Sequence, residues 1–247
     1  MAREFDNLIY GIRSVIETIQ SGKDLEKVFV QKGLKGELIK ELLVMTNQFS
    51  VPVSTVPVEK INQFTRKNHQ GVVAFVSPVQ YHKLEHVIPE IYEKGLNPLI
   101  LVLDRITDVR NFGAIARSAE CMGANAIVIP TRNGAQINPD AVKTSAGALN
   151  FIPVCREKSL MDAILLLKES GLQILACSEK GNEPLSSADF TVPTAIIMGS
   201  EDEGVSSELL AKSGSIVRIP MTGKIASLNV SAAASILLYE AVRQRTK

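Results

Sequence analysis

Apolar and polar positions along the chain follow two regimes. In the first third, "KVFVQ" (27–31) and "GVVAFVS" (71–77) are short, β-branched runs of the kind that form strands. Between them, "GELIKELLVMTNQF" spaces Leu38, Leu42, Leu43 and Met45 for one helical face. Together these predict a small α/β unit over 1–77. The pattern then weakens: the stretch from Pro78 to Pro98 has a proline at each end and "HKLEH" between, and residues 78–97 read as a linker merging into a helix at 87–94.

From residue 98 onward the alternation is regular. Five apolar runs read as buried strands, at 99–103, 126–129, 172–177, 194–198 and 216–219. Helical stretches lie between them at 112–122 and 160–169, with a short turn after Val205 and a final helix over 229–245. Strand–helix alternation predicts an α/β fold with a mainly parallel sheet covered on both faces. In such sheets ligands bind beyond the carboxyl ends of the strands, so the residues after each strand matter most.

Composition narrows this picture only a little. The 247 residues suffice for one large domain or two modest ones, and the net charge of +1 provides no global field for a polyanion. Any nucleic-acid contact must therefore come from a local basic patch. Cys121, Cys155 and Cys177 stand far apart with no metal-ligand spacing, which predicts buried free thiols in a reducing compartment. No apolar run approaches the roughly 18 residues of a membrane span, and the N-terminus lacks the apolar core of a signal peptide. A cytoplasmic protein is expected, with no membrane partner.

Three stretches hold candidate chemistry. In "DVRNFGAIARSAECMG" (108–123), Asn111 is a competent N-cap, and Gly113 shares a helical face with Arg117, clearing room for its guanidinium. Arg117 then either reaches a cleft or pairs with Asp104, Asp108 or Glu120. In "IIMGSEDEGVSSELL" (196–210), Gly199 and Gly204 bracket three acids. There Glu201 can orient a polar group, Asp202 and Glu203 read as solvated, and the acids also suit the next helix's N-terminus. In "IPMTGKIASLNVSAAASILLYEAVRQR" (219–245), "SLN" opens a helix that is apolar almost all round, as in a core or a subunit interface. No GxGxxG or GxxxxGK loop is present, which excludes the common dinucleotide and phosphate-loop signatures.

These three stretches, in this order, resemble the motifs of the SpoU (TrmH-like) RNA 2′-O-methyltransferases over residues 98–245. "LIYGIRSVIETI" and "NHQGVVAFV" resemble the small RNA-binding domain that precedes them, similar in fold to ribosomal protein L30. The combination is most like the subfamily that methylates a guanosine of 23S ribosomal RNA. Two positions depart from the pattern: Val109, where many relatives have proline, and Asp202, where many have glycine.

The resemblance implies an L30-like domain over 1–77, a linker over 78–97 and a methyltransferase domain with a C-terminal trefoil knot over 98–247. It implies a homodimer and S-adenosylmethionine as methyl donor, held by Gly199, Ile219 and Leu228 with Ser200 and Met221 nearby; no metal is expected. It assigns Arg117 to the ribose hydroxyl, with Asn111, Glu201, Ser227 and Asn229 completing the site. A guanidinium with a pKa above about 12 is a poor base, so the role expected for Arg117 is that of a fixed cation on the developing alkoxide or the adjacent phosphate. Arg13, Arg66 and Lys67 in the first domain, and Arg105, Arg110, Arg132 and Lys143 near the site, are the RNA-contact candidates. His69 in "NHQG" is expected to hold structure or touch RNA. The alternatives are a transfer-RNA guanosine 2′-O-methyltransferase and a non-catalytic L30-like RNA-binding protein.

Overall fold

The structure is a computed structural model that describes residues 7–225 and 227–246. The chain divides into two compact units, 1–80 and 81–247.

The first unit carries β1 (Leu8–Tyr10), α1 (Ile12–Gln20), β2 (Leu25–Gln31), α2 (Glu37–Gln48), β3 (Val53–Val56), α3 (Val58–Phe64) and β4 (Val72–Val76). Its strands form one sheet in the order β1-β4-β2-β3. The β1–β4 and β2–β4 pairs are antiparallel and the β2–β3 pair is parallel. Val15, Ile16 and Ile19 of α1 and Ile39 and Leu42 of α2 pack on Val28, Val30, Val72 and Ala74 to make its core. The predicted helical face of α2 is only half right. Leu42 is buried, but Leu38 and Leu43 are exposed. His69 closes the turn before β4: its Nδ1 accepts from the Gly71 amide (3.0 Å), so Nε2 is left to donate to Asn62 Oδ1 (2.9 Å).

The second unit carries β5 (Tyr81–His82), α4 (Leu84–Glu93), β6 (Leu99–Leu103), α5 (Val109–Cys121), β7 (Ala126–Pro130), α6 (Pro139–Thr144), β8 (Val154–Glu157), α7 (Leu160–Glu169), β9 (Gln173–Cys177), β10 (Glu183–Pro184), β11 (Thr194–Met198), α8 (Ser207–Lys212), β12 (Ser215–Arg218) and α9 (Val230–Arg245). The strands form one eight-stranded sheet, β10-β12-β9-β11-β6-β7-β8-β5, and its pairs run parallel. All five residues of β6 and of β11 are buried, as expected where both faces are covered. Ile100, Val102, Ala195 and Ile197 point toward α4, α7 and α8. Their neighbours Leu101, Leu103 and Ile196 must point the other way, toward the layer that holds α5 and α9.

Residues 81–97 are not a linker. Leu84, Val87, Ile88 and Ile91 of α4 enter the main core, so this segment belongs to the second unit. Polar flanks and Pro89 inside the helix masked that apolar face in the sequence. The cysteines also divide: Cys155 is buried, Cys177 is half-buried and Cys121 is exposed.

The far end of α9 is pinned to the amino-terminal edge of the sheet. Arg245 donates to the carbonyls of Asn97 (2.7 Å), Pro98 (3.1 Å), Phe190 (2.7 Å) and Val192 (2.9 Å). Gln244 adds a bond to the Ala188 carbonyl and accepts from the Phe190 amide. This basic end does more than complement a helix dipole: one planar fork reaches four carbonyls of the segments that lead into β6 and β11. Replacing Arg245 with Ala should therefore destabilise the fold by about 1–3 kcal/mol, read as a lower denaturant midpoint, and lysine should restore only part of that loss.

Candidate active site

The first motif enters α5 through Asp108, not Asn111. Asp108 Oδ1 accepts from the amides of Arg110 and Asn111, both at 2.8 Å, and is the cap. Asn111 lies in the first turn, where a side chain is no longer needed for capping and can reach outward. Its Nδ2 donates to Glu201 Oε1 at 3.1 Å. Gly113 does not clear space for Arg117. A Cβ there would lie 2.7 Å from the Ala141 carbonyl oxygen and 2.8 Å from Thr144 Cβ, so the glycine lets α5 pack against α6. Arg117 is exposed and makes no ion pair with Asp104, Asp108 or Glu120 among the described residues.

The second motif is a tight loop at the carboxyl end of β11. Ser200 and Gly204 form an isolated antiparallel bridge, and a Cβ on Gly199 would fall inside the backbone of Gly204 and Val205. Only glycine fits that position. Asp104, buried at the end of β6, accepts from the Ser206 amide at 2.8 Å and from Arg105 Nε at 3.2 Å. Arg105 also donates to the Gly204 carbonyl at 3.0 Å and pairs with Glu203. Hydrogen bonding to Asp104 raises the Arg105 pKa above its ordinary value. Arg105 is therefore engaged within the protein, and Glu203 pairs with it while remaining largely exposed to solvent.

The third motif meets the other two at Glu201. Asn229 Oδ1 caps α9 by accepting the Ser231 amide at 2.9 Å, while its Nδ2 donates to Glu201 Oε1 (2.7 Å) and to Asn111 Oδ1 (3.0 Å). The Val230 amide donates to the same Glu201 oxygen at 3.1 Å. One carboxylate oxygen thus receives Asn111, Asn229 and the opening amide of α9.

Beside this junction lies a cavity of about 890 Å³ built from the ends of β9, β11 and β12 and the segment leading into α9. Gly199, Ser200, Ile219, Met221 and Leu228 all line it, as do Glu201 and Ser227. Asn111 and Asn229 are joined to it through Glu201, whereas Arg117 is not among the lining residues. Cys177, Ser178 and Glu179, at the carboxyl end of β9, line it too and escaped the sequence reading. Their signal was positional: "ILAC" is a buried strand that Cys177 closes and that Ser178 and Glu179 follow. Burial pushes the Cys177 thiol up to about 11, so it stays protonated at neutral pH and is no nucleophile. Arg13, Arg66, Lys67, Arg110, Arg132 and Lys143 are all exposed.

A cavity beyond the carboxyl ends of a parallel sheet, without a glycine-rich phosphate loop, defines an α/β domain of a type other than the dinucleotide fold. The model of the SpoU rRNA methylase family matches residues 98–239, and that of the RNA 2′-O ribose methyltransferase substrate-binding domain matches 8–82. The chain belongs to the SpoU methylase family. It is 32% identical over 245 residues to the Bacillus subtilis protein named "Putative TrmH family tRNA/rRNA methyltransferase YacO", covering 99% of this chain and 98% of that one. Among solved structures, the SpoU methyltransferase AviRb of Streptomyces viridochromogenes in complex with AdoMet superposes with a TM-score of 0.61 at 27% identity, covering 96% of this chain and 90% of that one. The AdoMet-bound rRNA methyltransferase of Sinorhizobium meliloti does so with 0.61 at 26% identity, covering 97% and 88%.

The packing of Gly113 yields a direct test. Replacing it with Ala should destabilise the protein by about 1–3 kcal/mol through overpacking against α6, read as a lower melting temperature. If the melting temperature holds and only activity falls, the glycine serves Arg117 instead.

Proposed function

We propose that this protein methylates the 2′-hydroxyl of a guanosine ribose in 23S ribosomal RNA, with S-adenosylmethionine as donor. The observation that carries the reading is the meeting of all three motifs at Glu201 on the rim of the cavity. The cavity suits the donor in chemistry as well as position. Met198, Ile219 and Met221 offer apolar surface, and Glu179, Glu201 and Asp202 favour a cationic sulfonium. Gly199, Ser200, Ile219, Met221 and Leu228 would hold the donor, which supplies an electrophilic methyl group.

The protein's own contribution is alignment and charge. Glu201 fixes the amides of Asn111 and Asn229, so both side chains present their remaining polar atoms in set directions. Ser227, on the cavity wall, is a further hydroxyl partner for substrate or donor. Arg117 acts as a fixed cation that steadies the developing alkoxide or grips the adjacent phosphate, and the proton leaves to water or phosphate. An intact constellation of this kind argues against a purely RNA-binding protein.

Arg117 stands outside the cavity's lining, which favours a homodimer in which one protomer's arginine serves the other's donor. The outward stripe Ala232, Ile236 and Tyr239 on α9 is apolar, and Ile236 and Tyr239 are 38% and 59% exposed, as suits burial against a second copy. The cavity is lined by the 199–204 loop and by residues 219–221 and 227–228, in keeping with a trefoil knot and an adenosyl group bound between them. The proposed setting is the cytoplasm, where ribosomal RNA is made available to such enzymes.

The first unit supplies the grip on RNA. The segments 10–14, 31–36 and 65–71 are knit together: the Gln31 amide donates to the Gly71 carbonyl, the Gly11 amide donates to that of Val72, and Gly71 abuts Gln31 and Leu34. They carry Arg13, Lys32, Lys35, Arg66 and Lys67 and no acidic residue. A basic rim of this sort binds phosphates and makes affinity fall with salt. Replacing Arg66 and Lys67 with Ala should make the slope of log affinity against log salt shallower by about 1–2. An unchanged slope would remove these residues from the interface.

Transfer of labelled methyl groups to ribosomal and transfer RNA from cells lacking the protein tests the function itself. Incorporation into large-subunit RNA as 2′-O-methylguanosine is expected. Incorporation only into transfer RNA would move the substrate to the runner-up, a transfer-RNA guanosine 2′-O-methyltransferase, and incorporation into neither, with donor binding verified, would overturn the assignment. At saturating substrates Arg117→Ala should lose about a hundredfold in turnover, whereas Arg117→Lys should retain far more. Equal losses would contradict the fixed-cation role.

A further inference from the structure

Arg105 has a left-handed backbone, φ +57°, which a residue with a long side chain adopts only at a cost. That conformation directs its guanidinium across to the loop after β11, where it bonds the Gly204 carbonyl and pairs with Glu203. On its other side it is held by Asp104, which is itself buried and accepts the Ser206 amide. The loop 199–204 is therefore clamped from two directions. The Asn111–Glu201–Asn229 junction holds its centre, and the Asp104–Arg105 pair holds its exit. Every residue of that loop lines the cavity.

We propose that Arg105 is a positioning residue that locks the 199–204 loop in its donor-binding form. The inference rests on the donor-site reading given above. Arg105 contacts neither donor nor RNA in this account; it acts through Glu203 and Gly204. The exposed arginines Arg110 and Arg132 have no such partners among the described residues and remain available for RNA. The strain at Arg105 is retained because the loop depends on where its side chain points.

The test combines donor calorimetry, RNA binding without donor, and hydrogen exchange of the Gly204 and Ser206 amides. Arg105→Ala, Arg105→Gly and Glu203→Gln are compared with the unaltered protein. Arg105→Gly matters most, because glycine accepts the left-handed backbone and so removes the clamp without adding strain. Both Arg105 variants should bind donor about tenfold more weakly, with the loop amides exchanging about tenfold faster and RNA affinity within about twofold. Glu203→Gln should show a smaller loss in the same direction. Unchanged donor affinity and unchanged exchange overturn the proposal, as does a loss of RNA affinity with donor binding intact. If the unaltered protein binds no donor, the proposed function fails on its own, and faster exchange in Arg105→Gly still supports the clamp.

Discussion

A single oxygen, Oε1 of Glu201, joins three parts of the chain that lie far apart in sequence. Asn111, Asn229 and Val230 all donate to it, at 3.1, 2.7 and 3.1 Å. All three donors sit at the openings of helices α5 and α9, whose electropositive ends both favour a carboxylate between them. The convergence fixes how the two helices enter the site. It also sets the loop after β11 over the cavity. Because the junction faces solvent, its worth lies more in geometry than in stability.

The rest of the second unit makes that junction possible. A parallel sheet buried on both faces delivers β9, β11 and β12 with their carboxyl ends together, and that is where the cavity opens. Small residues at chosen points permit close approach: Gly199 against the backbone of its own loop, Gly113 against α6. At the opposite end of α9, Arg245 binds four carbonyls and fixes the helix lengthwise. The active end can thus hold a polar, solvent-facing arrangement because the far end and the sheet are rigid.

Much of this was legible from residue pattern. The runs at 99–103 and 194–198 and the helix at 160–169 fall where periodicity put them, because fully buried strands and long amphipathic helices leave unambiguous signals. Two-residue strands such as β5 and β10 carry no periodicity and were missed. The helix at 84–93 was read as part of a linker because its flanks are polar. Position within the motifs was less legible than their existence. Asp108 and Asn111 are both good cap residue types, and only the fold decides that Asp108 takes the role and frees Asn111. Arg105 resembled any surface cation until its left-handed backbone and buried partner were visible. The strand order, and hence which loops share the cavity, depends on long-range pairing that local pattern does not encode.

Three motifs that lie apart along the chain of this SpoU-family protein meet at one carboxylate beside a cavity. The central claim is that Glu201 organises methyl transfer by holding Asn111 and Asn229 and not by taking a proton. Single-turnover methyl transfer by Glu201→Ala, at saturating donor and RNA and with melting temperature monitored, tests it most directly. The account predicts a loss of about a hundredfold in rate, with Glu201→Gln, which keeps an acceptor oxygen, recovering a large part of it. Equal losses in the two variants would mean that the carboxylate acts as a base, and a rate for Glu201→Ala within about threefold of the unaltered protein would contradict the account.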